Sequence, residues 1–390
     1  MREPMRVAPI ELGDRSYEVV IGAGALALLH GRAQLVVPGR RALVVADAGL
    51  PDRVVTLAED ALRSAGFGLA TRRLAPSEED KSLETVRSLL EDAARARLDR
   101  HDVVLGLGGG IVGDVAGFVA ASYRRGVHVI QAPTTLLAMV DASVGGKTGV
   151  NLRVGERLLK NMVGAFWQPR MVLADVATLE SLPPRHLRCG LAECLKHGLI
   201  ARTALGDAGA DLFGWTAEVG PGIASGDLTH ATELVARHVE VKAAVVRADE
   251  REEDAGRVSR AILNLGHTFA HVLEGLGDVS PDGDAASAPL AHGEAVALGL
   301  VAATAMSGAM GEMAGAEIAE VRGAVGSVGL PVSVEGLPRA EDLAERMRDD
   351  KKVVGGTLRV IAPRGIGRAA VVVDPPESAV LEGWRAIGAG

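Results

Sequence analysis

Two cysteines, Cys189 and Cys194, are all the chain has. That is too few for a disulfide framework, and it points to a reducing, cytoplasmic setting. No secretory h-region follows the first Met, which points the same way. Long apolar runs are missing as well. The most apolar stretch, 295–311, is mostly Ala, Gly and Val, a composition that suits a close-packed buried helix better than a membrane span. No membrane partner is expected. Nor is there an excess of positive charge: 42 basic residues against 50 acidic ones give a net charge of −8. Without a dense Lys/Arg stripe, nucleic acid is excluded as a general partner. Lysine itself is scarce, at 81, 147, 160, 196, 242, 351 and 352 only, and asparagine stands only at 151, 161 and 264. A surface that merely needs positive charge can use Arg, and this chain nearly always does. The few lysines therefore mark places where a compact ammonium is required and a planar fork does not fit. Coding bias would leave survivors scattered. Lys147, Lys160 and Lys196 instead stand beside Gly-Gly, Asn161 and Glu193.

What is present is a globular chain of 390 residues, long enough for two domains. The first half alternates β-rich runs with helical spacing. Ala42–Ala46, Asp102–Leu107, Val127–Gln131 and Met171–Leu173 read as strands, and Ser82–Leu98 as an amphipathic helix. Such alternation predicts a Rossmann-like α/β domain with a parallel sheet, over residues 1–177. Ligands of such sheets sit beyond the strand C-termini, where Asp47, Gly108–Gly110 and Thr134–Thr135 fall. Strand signals fade after Asp175. Helical spacing over 185–201, 229–247, 261–276, 292–314 and 316–325 predicts a mainly α-helical domain over 178–390, with a short β-like piece at 357–362.

Three motifs carry chemistry. "GGGIVGD", Gly108 to Asp114, satisfies G-x-G-x-x-G after a strand, where glycines let backbone approach a pyrophosphate at a helix N-terminus. No acidic residue follows at the usual distance, so Asp47, on an earlier strand, is the candidate for the ribose. A plain tight turn is the alternative reading. "DASVGGKT", 141–148, is one letter from a P-loop. It lacks the strand–loop–helix context, and Asp141 sets a carboxylate where phosphate would approach. Anion binding at Gly145-Gly146-Lys147-Thr148 is kept, and nucleotide hydrolysis is not. "LNLGHTFAH" puts His267 and His271 on one helical face. With His292 of "AHGEAV" and Glu193 of "LAECLKH" it offers a Glu/His/His set that leaves positions open, the pattern of catalytic zinc. Cys189, Cys194 and His197 form a rival set.

In order along the chain, GGGIVGDVAGF, APTTLLAMVDASVGGKTGVN, KNMVGAFWQP, GLAECLKHG, DERE, LNLGHTFAH, HGEAV and DKK resemble the 3-dehydroquinate synthases. The resemblance covers nearly the whole chain. It implies that the helical domain is metal-binding, and a homodimer that uses NAD and a divalent metal, zinc or cobalt, and acts on a small sugar acid phosphate, 3-deoxy-D-arabino-heptulosonate 7-phosphate. NAD would oxidise C5 transiently, phosphate would leave by elimination, and re-reduction with an intramolecular aldol step would give 3-dehydroquinate. The family is thus a carbon–oxygen lyase of aromatic amino acid biosynthesis. The resemblance also implies residue roles. Glu193, His267 and His292 match metal ligands. Asp47, Glu78, Lys81, Gly109, Gly110, Ile111, Val112, Gly113, Asp114, Thr134, Thr135, Lys147, Lys160, Thr178, Leu179, Glu180 and Ser181 match cofactor positions. Asp141, Lys147, Asn161, Lys196, Lys242, Arg260, Asn264, His271 and one of Lys351 and Lys352 match substrate positions. Arg125 matches a residue reaching a neighbouring subunit's phosphate pocket, and Glu252 and His271 match proton-handling positions.

The sequence departs from the family pattern in places. "LRVGERLL" (152–159) and "EDAGRVS" (253–259) are longer than the usual links. Ala142, Cys189, His197 and Ala270 stand where Ser, a small polar residue, Tyr and Gly are expected. Two rivals follow: a related cyclase, such as one making aminodehydroquinate, an inosose or a valiolone, and a metal-dependent polyol dehydrogenase. Lys242 and Arg260 suit a substrate carboxylate, which the inosose and valiolone cyclases do not bind.

Overall fold

The computed structural model describes residues 3–253, 258–351 and 357–390. The chain divides into two compact units, Met1–Pro183 with Leu228–Ala243, and Pro184–Asp227 with Ala244–Gly390.

The first unit opens with β1 (Arg6–Ile10), β2 (Tyr17–Ile21) and α1 (Leu29–Val36). Then come β3 (Arg41–Asp47), α2 (Asp52–Ser64), β4 (Gly68–Leu74) and α3 (Leu83–Arg95). β5 (Val103–Gly108), α4 (Gly110–Ser122) and β6 (His128–Pro133) follow, then a hairpin of β7 (Lys147–Val154) and β8 (Arg157–Phe166), and finally β9 (Met171–Ala174). The main sheet has seven strands in the order β1-β2-β9-β6-β5-β3-β4. All neighbours pair parallel except β1, which pairs antiparallel with β2. Successive strand residues point to opposite faces, and here both faces are buried. Ala42, Val44 and Ala46 of β3 pack with α1 and α2, whereas Leu43 and Val45 pack with α3 and α4. Ser82 caps α3, its hydroxyl accepting from the Thr85 N–H at 3.2 Å.

The second unit contains α5 (Pro184–Leu205) and α6 (Leu212–Ala224). α7 (Ala231–Ala248) lies mostly in the first unit and ends in the second. Beyond it come α8 (His267–Glu274), α9 (His292–Ala309), α10 (Gly315–Ser327) and α11 (Ala340–Lys351). β10 (Arg359–Pro363) and β11 (Ala369–Val373) pair antiparallel, and α12 (Glu377–Ala386) closes the chain. α9 packs on α5, α8 and α12. It is buried almost all round, as its uniform Ala/Gly/Val composition requires. No helix among the described residues is long and apolar enough to cross a membrane.

Two expectations are corrected. The helix expected over 261–276 is a 3-10 turn, Arg260–Asn264, followed by α8. The break falls at Gly266, whose φ of +79° an α-helix cannot contain. The helix expected over 292–314 stops at Ala309, and α10 starts at Gly315. The long link 152–159 extends the β7–β8 ladder, with Leu152 opposite Leu159 and Val154 opposite Arg157. Part of the other long link, 254–257, lies outside the described residues.

Candidate functional site

In the first unit the chain runs from β3 outward to β4 on one side, and from β5 to β6 on the other. The crevice beyond the C-termini of β3 and β5 is therefore the switch point where such sheets take ligands. Asp47 ends β3 and Gly108 ends β5. A Cβ on Gly108 would lie 3.0 Å from the Asp47 Cβ and 2.9 Å from that of Val112. The adjacent strand thus sets a carboxylate, Asp47, beside the glycine turn. Gly109 is the N-cap of α4, and Gly110, Ile111, Val112, Gly113 and Asp114 form its start, with the N–H groups unpaired by the helix facing outward along its axis. A Cβ on Gly113 would meet Gln131 Oε1 at 3.0 Å, so glycine lets α4 lie close on β6. Thr134 and Thr135 follow β6, and the Thr134 N–H donates to the Gly108 carbonyl at 2.9 Å. Thr178, Leu179, Glu180 and Ser181 belong to a 3-10 turn capped by Asp175.

A polar network lies alongside. The Lys81 ammonium is 2.6 Å from Asp114 Oδ2 and 2.5 Å from Asn161 Oδ1. Burial pushes the Asp114 carboxyl above the usual range, and Lys81 opposes that shift. The Asn151 amide bonds both Glu78 and the Asn161 backbone. Lys160, next to Asn161, is exposed.

Gly145 and Gly146, at φ +100° and +68°, link a π-helical turn, Ala138–Ala142, to β7. Helix–turn–strand is the reverse of P-loop order, which disposes of nucleotide hydrolysis by that architecture. Asp141 lies in the π turn, a feature often found at functional sites. Its Oδ1 is 2.8 Å from Lys242 Nζ. Lys147 opens β7 and is exposed. Arg124, Arg125 and Gly126 all have positive φ, and this contorted turn presents Arg125 to solvent. Six described non-glycine residues have positive φ, and Arg125, Asn161 and Glu252 are among them. Such strain persists only where its surroundings hold it.

In the second unit, α5, α8 and α9 bring Glu193, His267 and His292 together, with candidate ligand atoms within 4.8 Å of one another. His267 and His292 each begin a helix. The α8 and α9 backbones meet at Gly266 and Gly299, where a Cβ on Gly299 would lie 2.2 Å from the Gly266 carbonyl oxygen. Each imidazole donates through Nδ1: His267 to the Leu265 carbonyl at 3.2 Å, His292 to Glu274 Oε1 at 2.8 Å. That leaves Nε2 of both rings facing Glu193 Oε1, at 3.7 and 3.6 Å. These separations are too long for hydrogen bonds. Ligand atoms about 2.1 Å from one ion at tetrahedral or wider angles lie about 3.4–3.6 Å apart. The set fits a divalent cation, and the Nδ1 partners are the outer-shell bonds such imidazoles require. Burial, with Lys196 adding to it, holds His267 down at about 3, so its ring is neutral. For His292, burial is outweighed by Glu193 and Glu274, which raise it to about 10. Two carboxylates there demand positive charge.

Lys196 is buried and ion-paired with Glu193 one turn away on α5. His271 lies on α8 with its ring centroid 5.8 Å from that of His267. Arg260 is 1% exposed, and its backbone N–H and Nε donate to Asp249. Asn264 ends the 3-10 turn before α8, and Glu252 holds φ +59° on the surface. Lys351 ends α11, whereas Lys352 lies outside the described residues. The rival metal set is not assembled: among the described residues no ligand cluster includes a cysteine, and burial raises the Cys189 thiol to about 11.

Sequence reasoning missed two supports of this cluster. Glu274 stands seven residues after His267 on the same helix face, a spacing open to view. Arg185 grips Glu294 at 2.7 Å and the Ser287 and Pro289 carbonyls, while Glu294 caps the Ala291 N–H at 2.8 Å. The start of α9, and His292 with it, is fixed by that clamp.

A family model described as 3-dehydroquinate synthase N-terminal matches residues 71–189, and one described as 3-dehydroquinate synthase C-terminal matches 190–353. The 3-dehydroquinate synthase of Brucella ovis is 41% identical, over 98% of this chain and 98% of its own. Among solved structures, 2-deoxy-scyllo-inosose synthase complexed with carbaglucose-6-phosphate, NAD+ and Co2+ superposes with a TM-score of 0.81 at 24% identity, covering 97% of this chain and 99% of that one. The 2-epi-5-epi-valiolone synthase from Streptomyces hygroscopicus, with NAD+ and Zn2+ bound, gives 0.79 at 27% identity, covering 98% and 99%. The fold is that of the sugar-phosphate cyclases, and with both family models and a full-length relative agreeing, the chain belongs to the 3-dehydroquinate synthase family.

Proposed function

We propose that the chain converts 3-deoxy-D-arabino-heptulosonate 7-phosphate to 3-dehydroquinate and phosphate. The observation that carries the reading is the Glu193, His267 and His292 donor set with the buried Lys196 beside it, within a chain 41% identical to a named synthase over nearly its full length. The inosose and valiolone synthases are more distant in sequence, at 24% and 27%.

Glu193, His267 and His292 would hold a zinc or cobalt ion, and NAD would lie in the crevice formed by Asp47, Gly109–Asp114 and Thr134–Thr135. When bound, NAD would take up and return a hydride while the cation polarised substrate oxygens. The substrate carries only a hydroxyl where elimination needs a carbonyl, and transient oxidation by bound NAD would supply the carbonyl that makes the neighbouring C–H acidic. Lys242 and Arg260 supply the charge for the substrate carboxylate. Lys147, Asn161, Lys196 and Asn264 orient its oxygens, and Asp141 holds the Lys242 ammonium in place. His271, one turn along α8 from His267, handles the proton, and Glu252 is the second proton-handling group. The working form is a cytoplasmic homodimer in which Arg125 serves the neighbouring subunit.

Because the hydride returns, NAD is a catalyst in this scheme. One phosphate should be released per turnover with substoichiometric NAD and no accumulation of NADH absorbance. NADH produced in proportion to product, without phosphate, would hand the chain to the polyol dehydrogenases.

A further inference from the structure

We propose that Asn151 is a positioning residue that sets the cofactor-side carboxylate of Glu78 and the substrate-side Asn161 together, through one amide. The inference rests on the assignment of Glu78 to NAD and Asn161 to substrate. Asn151 is 3% exposed and stands alone on β7 between Val150, paired with Val163, and Leu152, paired with Leu159. Three residues of β8, 160–162, therefore face one residue of β7. A bulge of this kind re-aims side chains and releases backbone from the ladder. The freed Asn151 N–H donates to the Lys81 carbonyl at 2.8 Å. Its side chain uses both functions. Oδ1 accepts the Asn161 N–H at 2.9 Å, and Nδ2 donates to the Glu78 carbonyl at 2.7 Å and carboxylate at 2.8 Å.

Asn161 has φ +55°, a conformation that L residues other than Asn and Asp rarely keep. The bond from Asn151 holds its backbone there, and Lys81, itself paired with Asp114, holds its side-chain oxygen. Only a group with a donor and an acceptor on one planar end does both tasks, which is why this position takes one of the three asparagines of the chain. A purely structural amide would satisfy the bulge and leave catalysis untouched.

The test compares Asn151→Leu, of similar volume with neither function, and Asn151→Asp, which keeps only the acceptor, with Asn161→Ala. The readouts are thermal midpoint, NADH affinity by fluorescence titration, and kcat and KM by phosphate release. Asn151→Leu should lower kcat/KM roughly ten- to a hundredfold and weaken NADH binding, as expected when buried polar partners lose their bonds. Asn151→Asp should recover most of kcat/KM at saturating NAD while NADH binding stays weak. In the Asn161→Ala background at saturating NAD, Asn151→Leu should cost little more, because the two residues act as one unit. A lowered thermal midpoint with wild-type kcat/KM and NADH binding overturns the proposal, as do losses that multiply independently. Should Asn151→Leu not fold, Asn151→Asp decides: equal loss on the cofactor and substrate sides overturns the proposal. Wild-type turnover by Asn161→Ala would remove Asn161 from the site, and would overturn the underlying assignment along with the inference.

Discussion

Both imidazoles of the proposed metal site depend on what their far nitrogens touch. A neutral histidine can present Nε2 only if Nδ1 keeps its proton, and here a carbonyl and a carboxylate keep it there. Removing the Glu274 carboxylate leaves His292 free to turn or change tautomer. Glu274→Ala should weaken zinc binding about 10–100-fold, measured by chelator competition on the purified protein. His267→Ala should abolish stoichiometric zinc altogether, and Cys194→Ser should leave it unchanged. Zinc retained by His267→Ala but lost by Cys194→Ser would reinstate the cysteine set. The lysines tell a related story. Lys81, Lys196 and Lys242 are each at most 6% exposed and pair with Asp114, Glu193 and Asp141. A compact point charge suits such buried pairs, whereas Lys147 and Lys160, singled out by the same scarcity, are exposed.

At the scale of elements, the inner strands were legible because a strand covered on both faces reads as a short continuous apolar run, and their helices because an amphipathic face keeps its 3.6 period. The β7–β8 hairpin was not. Its residues alternate poorly, with Met162 and Phe166 exposed, and three residues bulge against one. The amide of Asn151 was invisible for the same reason, since its partners lie at Glu78 and Asn161 and no local period links them. Gly266 was in view, but nothing in "LNLGHTF" says that its φ is positive. That break sets where α8 begins, and with it His267. Its partner is Gly299, pressed on the same carbonyl. Gly299→Ala should destabilise the protein by about 1–3 kcal/mol, the usual range for overpacking, seen as a lowered thermal midpoint. Zinc affinity should fall too, because the Gly266 backbone that would be displaced directly precedes His267. An unchanged midpoint would mean that the two backbones give way at no cost.

At the scale of the whole molecule, the two-part plan was readable from the loss of strand signals after Asp175, but the return of Leu228–Ala243 to the first unit was not. A helix carries the same period whichever core it serves. The proposed dimer has its own test. Arg125→Ala and His271→Ala should each be nearly inactive alone. If Arg125 serves the neighbouring subunit, mixing equal amounts after dissociation and reassociation should restore roughly a quarter of normal activity, since half the dimers are mixed and each has one intact site. No recovery would place Arg125 in its own subunit's chemistry, and an active Arg125→Ala would place it outside the chemistry.

That returning segment bears on how the chain is made. The Glu3 carboxylate accepts the N–H groups of Thr232 and Glu233 at 3.0 and 3.3 Å, and Arg6 pairs with Glu233 at 2.7 Å, 227 residues further on. Leu234, Val235, Val239 and Val241 of the segment are fully buried. Nascent chains generally fold domain by domain from the N-terminus as they leave the ribosome. Here the first domain stays unfinished until its last helix has been translated, with α5 and α6 already emerged in between. Of the strands of this domain, β1 is translated before the others and waits longest for its final partners.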